Sequence, residues 1–251
     1  LKNDSADIHL IETSDGSHSL FVPSLNETYH SRHGAIQESQ WVFIKQGLDF
    51  ARLTIGEKKI QELSQVTRIL EVGFGTGLNA LLAMRWAEKN TVHLHFTSLE
   101  TNIIPFEVAQ QLNYCAMNDA REAEFERVQL QKYHSQFLQM HSSPWHQDIS
   151  ISPYFTLHKA QREVQMESSE ELYNVVFFDA FGPPAQPEMW TPSVFGRMFD
   201  ALYHGGILVT YCAKGQVRRD LQSVGFSVHR LPGPPGKREM LRAIKQAHHE
   251  Y

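Results

Sequence analysis

Apolar and polar positions change rhythm along this chain, and the changes mark its elements. Two short apolar stretches, residues 8–11 and 18–22, flank Ser14-Asp15-Gly16 and predict a β-hairpin. A polar loop over residues 23–34 follows. Apolar residues, Phe43, Leu48 and Leu53 among them, then recur at helical spacing over 35–53. A second short helix is expected over 58–63. From residue 68 onward, short apolar blocks alternate with helical patterns. Strands are expected at 68–72, 92–99, 151–157, 175–178 and 207–211. Helices are expected at 78–88, over most of 105–127, at 128–140, at 193–203 with Gly205-Gly206 as its cap, and at 214–224 before Gly225. Two last strands, 226–229 and 239–244, are split by Pro232-Gly233-Pro234-Pro235-Gly236.

Strand–helix alternation predicts an α/β fold, a mostly parallel sheet with helices on both faces. The last two strands have no helix between them, so one of them must run antiparallel. Seven strands result. No repeat or linker divides the chain, so residues 1–66 are expected to decorate a core formed by 67–251.

Composition narrows the class. At 251 residues, with 41% hydrophobic and 20% charged, the chain can bury a sizeable core as one domain. No run approaches the roughly 18 apolar residues of a membrane span. Leu1-Lys2-Asn3-Asp4-Ser5 offers no apolar signal region, and Cys115 and Cys212 make no disulfide framework. A cytoplasmic, reducing location is expected. The 14 histidines lack metal-ligand spacing, so no metal is expected.

The sharpest chemical signal is Glu71-Val72-Gly73-Phe74-Gly75-Thr76-Gly77-Leu78-Asn79. A strand enters a loop with glycine at every second position and leaves as a helix, a device that lets backbone approach a nucleotide closely. A dinucleotide fingerprint requires glycine at 78, where leucine stands. Glu71 would repel a pyrophosphate but can accept from an ammonium group. S-adenosylmethionine has that ammonium and no phosphate. Glu100 ends the second strand, where an acid commonly binds ribose hydroxyls.

A second site follows the strand at 175–178. Asp179 ends an apolar run, an expensive place for an unpartnered carboxylate. It can hold the N–H groups of an acceptor amine and take up a proton. Phe181 and Trp190 are candidates to stack a base or ring. No cysteine follows this loop, so direct in-line transfer to nitrogen or oxygen is favoured over covalent catalysis.

Four stretches carry a specific resemblance. They are Tyr29-His30-Ser31 with Gly34-Ala35 and Glu38; the 71–79 loop; Asp179-Ala180-Phe181 through Pro187-Glu188-Met189-Trp190; and Lys237-Arg238-Glu239-Met240. Over roughly residues 20–245 the chain resembles the methyltransferase part of the MnmC family, in its stand-alone form. The resemblance implies a Rossmann-like class I S-adenosylmethionine-dependent methyltransferase fold. It implies N-methylation of 5-aminomethyl-(2-thio)uridine at the tRNA wobble position, giving the 5-methylaminomethyl form. It adds Tyr29 and Asn79 to Glu71, Gly73, Gly75, Gly77, Glu100 and Asp179 at the cofactor, and sets Asp179 beside the acceptor amine. The family's flavin domain has no counterpart here, so FAD is not expected, and separate oxidoreductase or aminomethylating enzymes would supply the substrate. Lys159 stands where such enzymes often carry an acid for the adenine, leaving that contact to backbone near Ala160. A methyltransferase for a small-molecule amine, and a Rossmann-like binding module without activity, are the alternatives.

Charge then bears on the partner. The total is −5, yet residues 214–245 carry Lys214, Arg218, Arg219, Arg230, Lys237, Arg238, Arg242 and Lys245 against Asp220 and Glu239. Lys214, Arg218, Arg219, Lys237 and Arg238, with Trp190, are the expected tRNA contacts.

Overall fold

The computed structural model describes residues 8–55, 66–115, 124–168 and 172–246. The short helix expected at 58–63 lies outside the described residues. The N-terminal hairpin forms as β1 (His9–Glu12) and β2 (His18–Val22), and a two-residue β3 (Glu27–Thr28) completes a three-stranded antiparallel sheet. One helical run follows: α1 (Ala35–Ser39), a π-helical Gln40–Asp49, and α2 (Phe50–Ile55). Gly47 in this run lies against the sheet. A Cβ there would sit 3.1 Å from the Phe177 ring and 3.3 Å from Val209, so glycine sets how closely the helix approaches.

The rest of the chain is β4 (Val66–Val72), α3 (Leu78–Asn90), β5 (His93–Glu100), α4 (Phe106–Ala109), α5 (Glu124–Ser142), β6 (Asp148–Ser152), β7 (Phe155–Gln161), β8 (Tyr173–Phe178), α6 (Pro192–Ala201), β9 (Leu202–Thr210), α7 (Gly215–Ser223), β10 (Ser227–Pro232) and β11 (Glu239–Ile244). Its strands form one sheet in the order β10-β11-β9-β8-β4-β5-β7-β6. β9, β8, β4, β5 and β7 pair in parallel, and β11 runs antiparallel between β9 and β10. That is the expected mostly parallel α/β sheet, with its antiparallel strand at the predicted end.

Alternation along β8 builds two core layers. Val175 and Phe177 face one side, with Ile69, Phe96, Val209, Phe43 of the π-helical segment and Phe137 of α5. Val176 and Phe178 face the other, with Leu70, Leu208, Phe195 of α6 and Leu221 of α7. Strands buried on both faces must be apolar throughout, which is why β8 reads as a continuous apolar run. Leu20 of β2 joins the first layer, so the N-terminal sheet shares a core with the large one.

Three expectations need correction. The strand expected at 151–157 is a hairpin: β6 and β7 pair antiparallel across a turn at Pro153-Tyr154. Proline supplies no ladder N–H and breaks the strand there. This adds an eighth strand at the sheet edge. The helix expected over most of 105–127 is a single turn, α4, among the residues described, and one continuous α5 follows from Glu124. Gly205-Gly206 do not cap a helix. α6 ends at Ala201, and both glycines lie within β9, where its register against β8 shifts. A Cβ on Gly206 would meet the Tyr203 carbonyl oxygen at 2.8 Å and that of Asn174 at 3.2 Å. The bulge, not a cap, requires the small residue.

Candidate active site

The loop between β4 and α3 lies beyond the carboxyl end of the central parallel strand. Gly73, Gly75 and Gly77 have φ of 95°, 48° and 74°, conformations that side chains strain to reach. The space is closed as well. A Cβ on Gly75 would sit 2.9 Å from the Tyr29 ring, and one on Gly77 2.8 Å from His141 Nε2. Between them, Thr76 is held from two sides. Its hydroxyl bonds His30 Nε2 at 2.7 Å, and its carbonyl accepts from His141 Nε2 at 3.0 Å. Burial pushes both imidazoles down to about 4, so both are neutral near pH 7.

Acidic groups surround the loop. Glu100 Oε2 accepts from the Gly75 N–H at 2.9 Å, and its Oε1 accepts from the Thr101 and Asn102 N–H groups at 2.7 Å each. Burial raises its pKa, and these backbone donors offset part of the rise. Glu71 is 0% exposed, and its Oε2 accepts from the Ser98 hydroxyl at 2.6 Å. Its Oε1 has no hydrogen-bond partner. Burial holds Glu71 well above the usual carboxylate range, and the nearby charge of Asp179 adds to the rise. Asn79, in the first turn of α3, donates from Nδ2 to Asp179 Oδ2 at 2.8 Å, leaving its own Oδ1 unpartnered.

A cavity of about 230 Å³ opens beside the loop, lined by Phe74, Gly75, Glu100, Ile103, Trp145 and Lys159, among others. Aromatic and aliphatic walls with one acid beside a glycine turn suit an adenosine group. The orphaned oxygens of Glu71 and Asn79 suit a ligand that donates, as an amino group does. The residues present therefore fit S-adenosylmethionine. A larger open groove at Trp41, Lys45 and Pro235 holds none of the expected site residues.

Asp179 continues from β8, its N–H bonded to the Val72 carbonyl at 3.1 Å. Its loop is pinned by three bonds. Tyr211 Oη donates to the Ala180 carbonyl at 2.8 Å, Trp190 Nε1 to the Phe181 carbonyl at 2.7 Å, and the Phe181 N–H to Gln186 Oε1 at 3.1 Å. The Phe181 ring meets Tyr29 edge to face at 4.9 Å. Burial pushes Asp179 well above the usual range, and the charge of Glu38 adds to this. Glu38 is itself buried and ion-paired to Lys237, whose ammonium lies 4.0 Å from the centre of the Tyr211 ring.

The structure thus gathers Tyr29, Glu71, Gly73, Gly75, Gly77, Asn79, Glu100, Asp179 and Phe181 around one loop. It separates others. Ala160 packs in the core layer on the far face of β7 from Lys159, and the cavity lining includes the Lys159 side chain instead. Trp190 is 5% exposed and packed against Phe178 and Phe195, so it braces the Asp179 loop and presents no free face to a base. Lys237 is drawn into the site by Glu38 rather than left on the surface. Of the remaining basic set, Lys214, Arg219 and Arg238 are exposed and Arg218 is half-buried. Arg230 pairs with Glu239, Arg242 stacks on Phe50, and Lys245 is buried against the Leu202 carbonyl. Sequence reasoning missed His30, Glu38, His141 and Tyr211 as site residues, because each reaches the site from a distant element. Among the described residues no group of three His, Cys, Asp or Glu could hold a metal, and no helix is long and apolar enough to cross a membrane.

Known proteins bear on this arrangement. The chain is 30% identical over 227 residues to the tRNA 5-methylaminomethyl-2-thiouridine biosynthesis bifunctional protein MnmC of Stutzerimonas stutzeri, covering 88% of this chain and 32% of that protein. The protein of the same name from Idiomarina loihiensis is 31% identical, with 87% and 35% covered. The chain therefore spans about a third of the length of these relatives. A crystal structure described as MNMC2 from Aquifex aeolicus superposes with a TM-score of 0.69 at 24% identity, covering 96% of this chain and 71% of that one, and so shares the fold. A family profile described as S-adenosyl-L-methionine-dependent methyltransferase matches residues 121–246, half of the sequence, a stretch that holds Lys159, Asp179 and Lys237. By that match the chain belongs to the S-adenosyl-L-methionine-dependent methyltransferase family.

Proposed function

We propose that the chain methylates the primary amine of 5-aminomethyl-(2-thio)uridine at the wobble position of tRNA, giving 5-methylaminomethyl-(2-thio)uridine. The observation that carries this reading is the Asp179 carboxylate, buried at the mouth of the glycine loop and oriented by Asn79. The names of the MnmC relatives, proteins of tRNA 5-methylaminomethyl-2-thiouridine biosynthesis, support the same product on tRNA.

When bound at the 73–77 turn and Glu100, S-adenosylmethionine would supply an electrophilic methyl carbon, with S-adenosylhomocysteine as the leaving group. The chain's residues do the rest. The turn at 73–77 and Glu100 hold the nucleoside part, and Tyr29 closes over Gly75. Glu71 and Asn79 offer their free oxygens to the amino-acid part. An aliphatic amine arrives largely protonated, and its lone pair is free only when a proton leaves. Asp179, made more basic by burial, accepts that proton and keeps the nitrogen in line. Phe181 and Tyr29 exclude water from the reacting atoms. Lys214, Arg218, Arg219 and Arg238 provide positive charge for the tRNA backbone. Residues 1–66 supply Tyr29, His30 and Glu38 to this site and so work as part of one domain with 67–251, in the cytoplasm.

Nucleoside mass spectrometry of tRNA bearing 5-aminomethyl-2-thiouridine, incubated with protein and cofactor, tests the proposal. Gain of one methyl on that nucleoside is expected. Unchanged tRNA would overturn the substrate assignment, and methylation of a small free amine alone would favour a small-molecule methyltransferase.

A further inference from the structure

Among the described residues Lys159 has no ion-pair partner, in a cavity whose lining also includes Glu100. It is 1% exposed. Its Nζ donates to the His141 carbonyl at 3.0 Å and lies 4.7 Å from the Trp145 ring centre and 5.5 Å from that of Phe74. None of the described residues forms an ion pair with it. An ammonium has three hydrogens, and one is accounted for. Two other polar side chains of the cavity already have partners. Glu100 accepts three backbone N–H groups, and the His141 Nε2 hydrogen goes to Thr76. Lys159 is thus the charged donor left for a ligand, with the Trp145 indole N–H as a neutral one.

Leaving such hydrogens unmet on a buried ammonium is costly. Burial has already brought the lysine down to about 8, the response of an ammonium short of partners. A purine offers further acceptors to this ammonium. Its ring nitrogens accept in the plane of the base, while its faces suit Phe74, Ile103 and Trp145.

We propose that Lys159 determines base recognition in this enzyme by donating a charge-assisted hydrogen bond to a ring nitrogen of the cofactor's adenine. The inference rests on the placement of the nucleoside part in this cavity. It predicts a site that reads an acceptor on the base, rather than its exocyclic amino group.

Calorimetric titration of S-adenosylhomocysteine and its 1-deaza, 3-deaza and 7-deaza forms into the full chain tests it without any turnover. One deaza form is expected to bind the wild-type protein at least about tenfold more weakly than the parent, the lower end for a hydrogen bond to a charged group. In Lys159→Met the parent should weaken by a similar factor, and the penalty for that deaza form should shrink to about twofold or less. The melting temperature of the variant should hold or rise, because methionine removes an unpaired buried charge at similar length. Deaza penalties that are the same in both proteins would overturn the inference alone. So would a lower melting temperature with unchanged affinity, which would mark Lys159 as a structural strut. Should Lys159→Met not fold, Lys159→Gln runs the same comparison. Wild-type protein that does not bind S-adenosylhomocysteine would overturn the cofactor placement, and this inference with it.

Discussion

Single residues decide the chemistry. Asp179→Ala removes the proposed proton acceptor and leaves every glycine of the 73–77 turn in place. Methyl transfer should fall by at least about 100-fold, the usual range for a positioned acid–base group, with cofactor affinity kept within about tenfold. Single-turnover rates alongside calorimetry separate the two effects, and retained turnover would remove Asp179 from the mechanism. Gly75→Val fails for two independent reasons, a φ of 48° and a Tyr29 ring 2.9 Å from the new Cβ. Calorimetry should detect no cofactor binding, and normal affinity would mean that the loop does not hold the ligand. Glu71, Glu100 and Asp179 were legible in the sequence because each closes or nearly closes a strand, where an α/β sheet places its ligands. His30 and His141 were not. They meet at Thr76 from residues 46 and 65 positions away, and no local spacing encodes such a meeting.

Elements carry the proposed tRNA surface and most of the misreadings. α7 presents Lys214, at its N-terminal boundary, and Arg219 to solvent. Replacing both with glutamate should weaken tRNA binding and flatten its dependence on log salt by more than one unit, since each phosphate contact contributes nearly one. Filter binding at several salt concentrations measures this. An unchanged slope would place the tRNA elsewhere. The basic segment was readable as a count but not as a surface. Lys237, Arg242 and Lys245 turn inward to Glu38, Phe50 and Leu202. Strand order was readable from alternation, but the β6–β7 hairpin was hidden. Ile149, Ile151, Phe155 and Leu157 keep one alternating phase across it, and Pro153 was the only break signal. Gly205-Gly206 have the composition of a cap, and only the register shift against β8 shows that they serve a bulge.

At the scale of the molecule, the two buried histidines link loop integrity to pH. An unfolded histidine takes a proton near 6.5, whereas these do so near 4. Between those values the unfolded chain binds more protons, so their contribution to stability is complete above about 6.5 and declines as pH falls towards 4. Buried Glu71 and Asp179 act in the opposite sense, because their raised values favour the folded chain in acid and lose that contribution as pH rises. His141→Gln keeps a donor for the Thr76 carbonyl without the titration. In urea denaturation at pH 7 and pH 5, the wild-type protein should lose on the order of 1–2 kcal/mol more than the variant. Equal losses would show that His141 does not titrate as its burial requires.

The Glu38–Lys237 ion pair joins segments 199 positions apart in a chain of 251. It also divides the site by order of synthesis. The glycine loop, Glu100 and Lys159 have all emerged from the ribosome long before Lys237 does. Glu38 and Asp179 are therefore both synthesised before the lysine that balances Glu38. Lys237 stands two residues before β11, the strand that lies between β9 and β10. β10 reaches the sheet only through β11, so one closing hairpin supplies both the edge of the sheet and the counter-ion of Glu38.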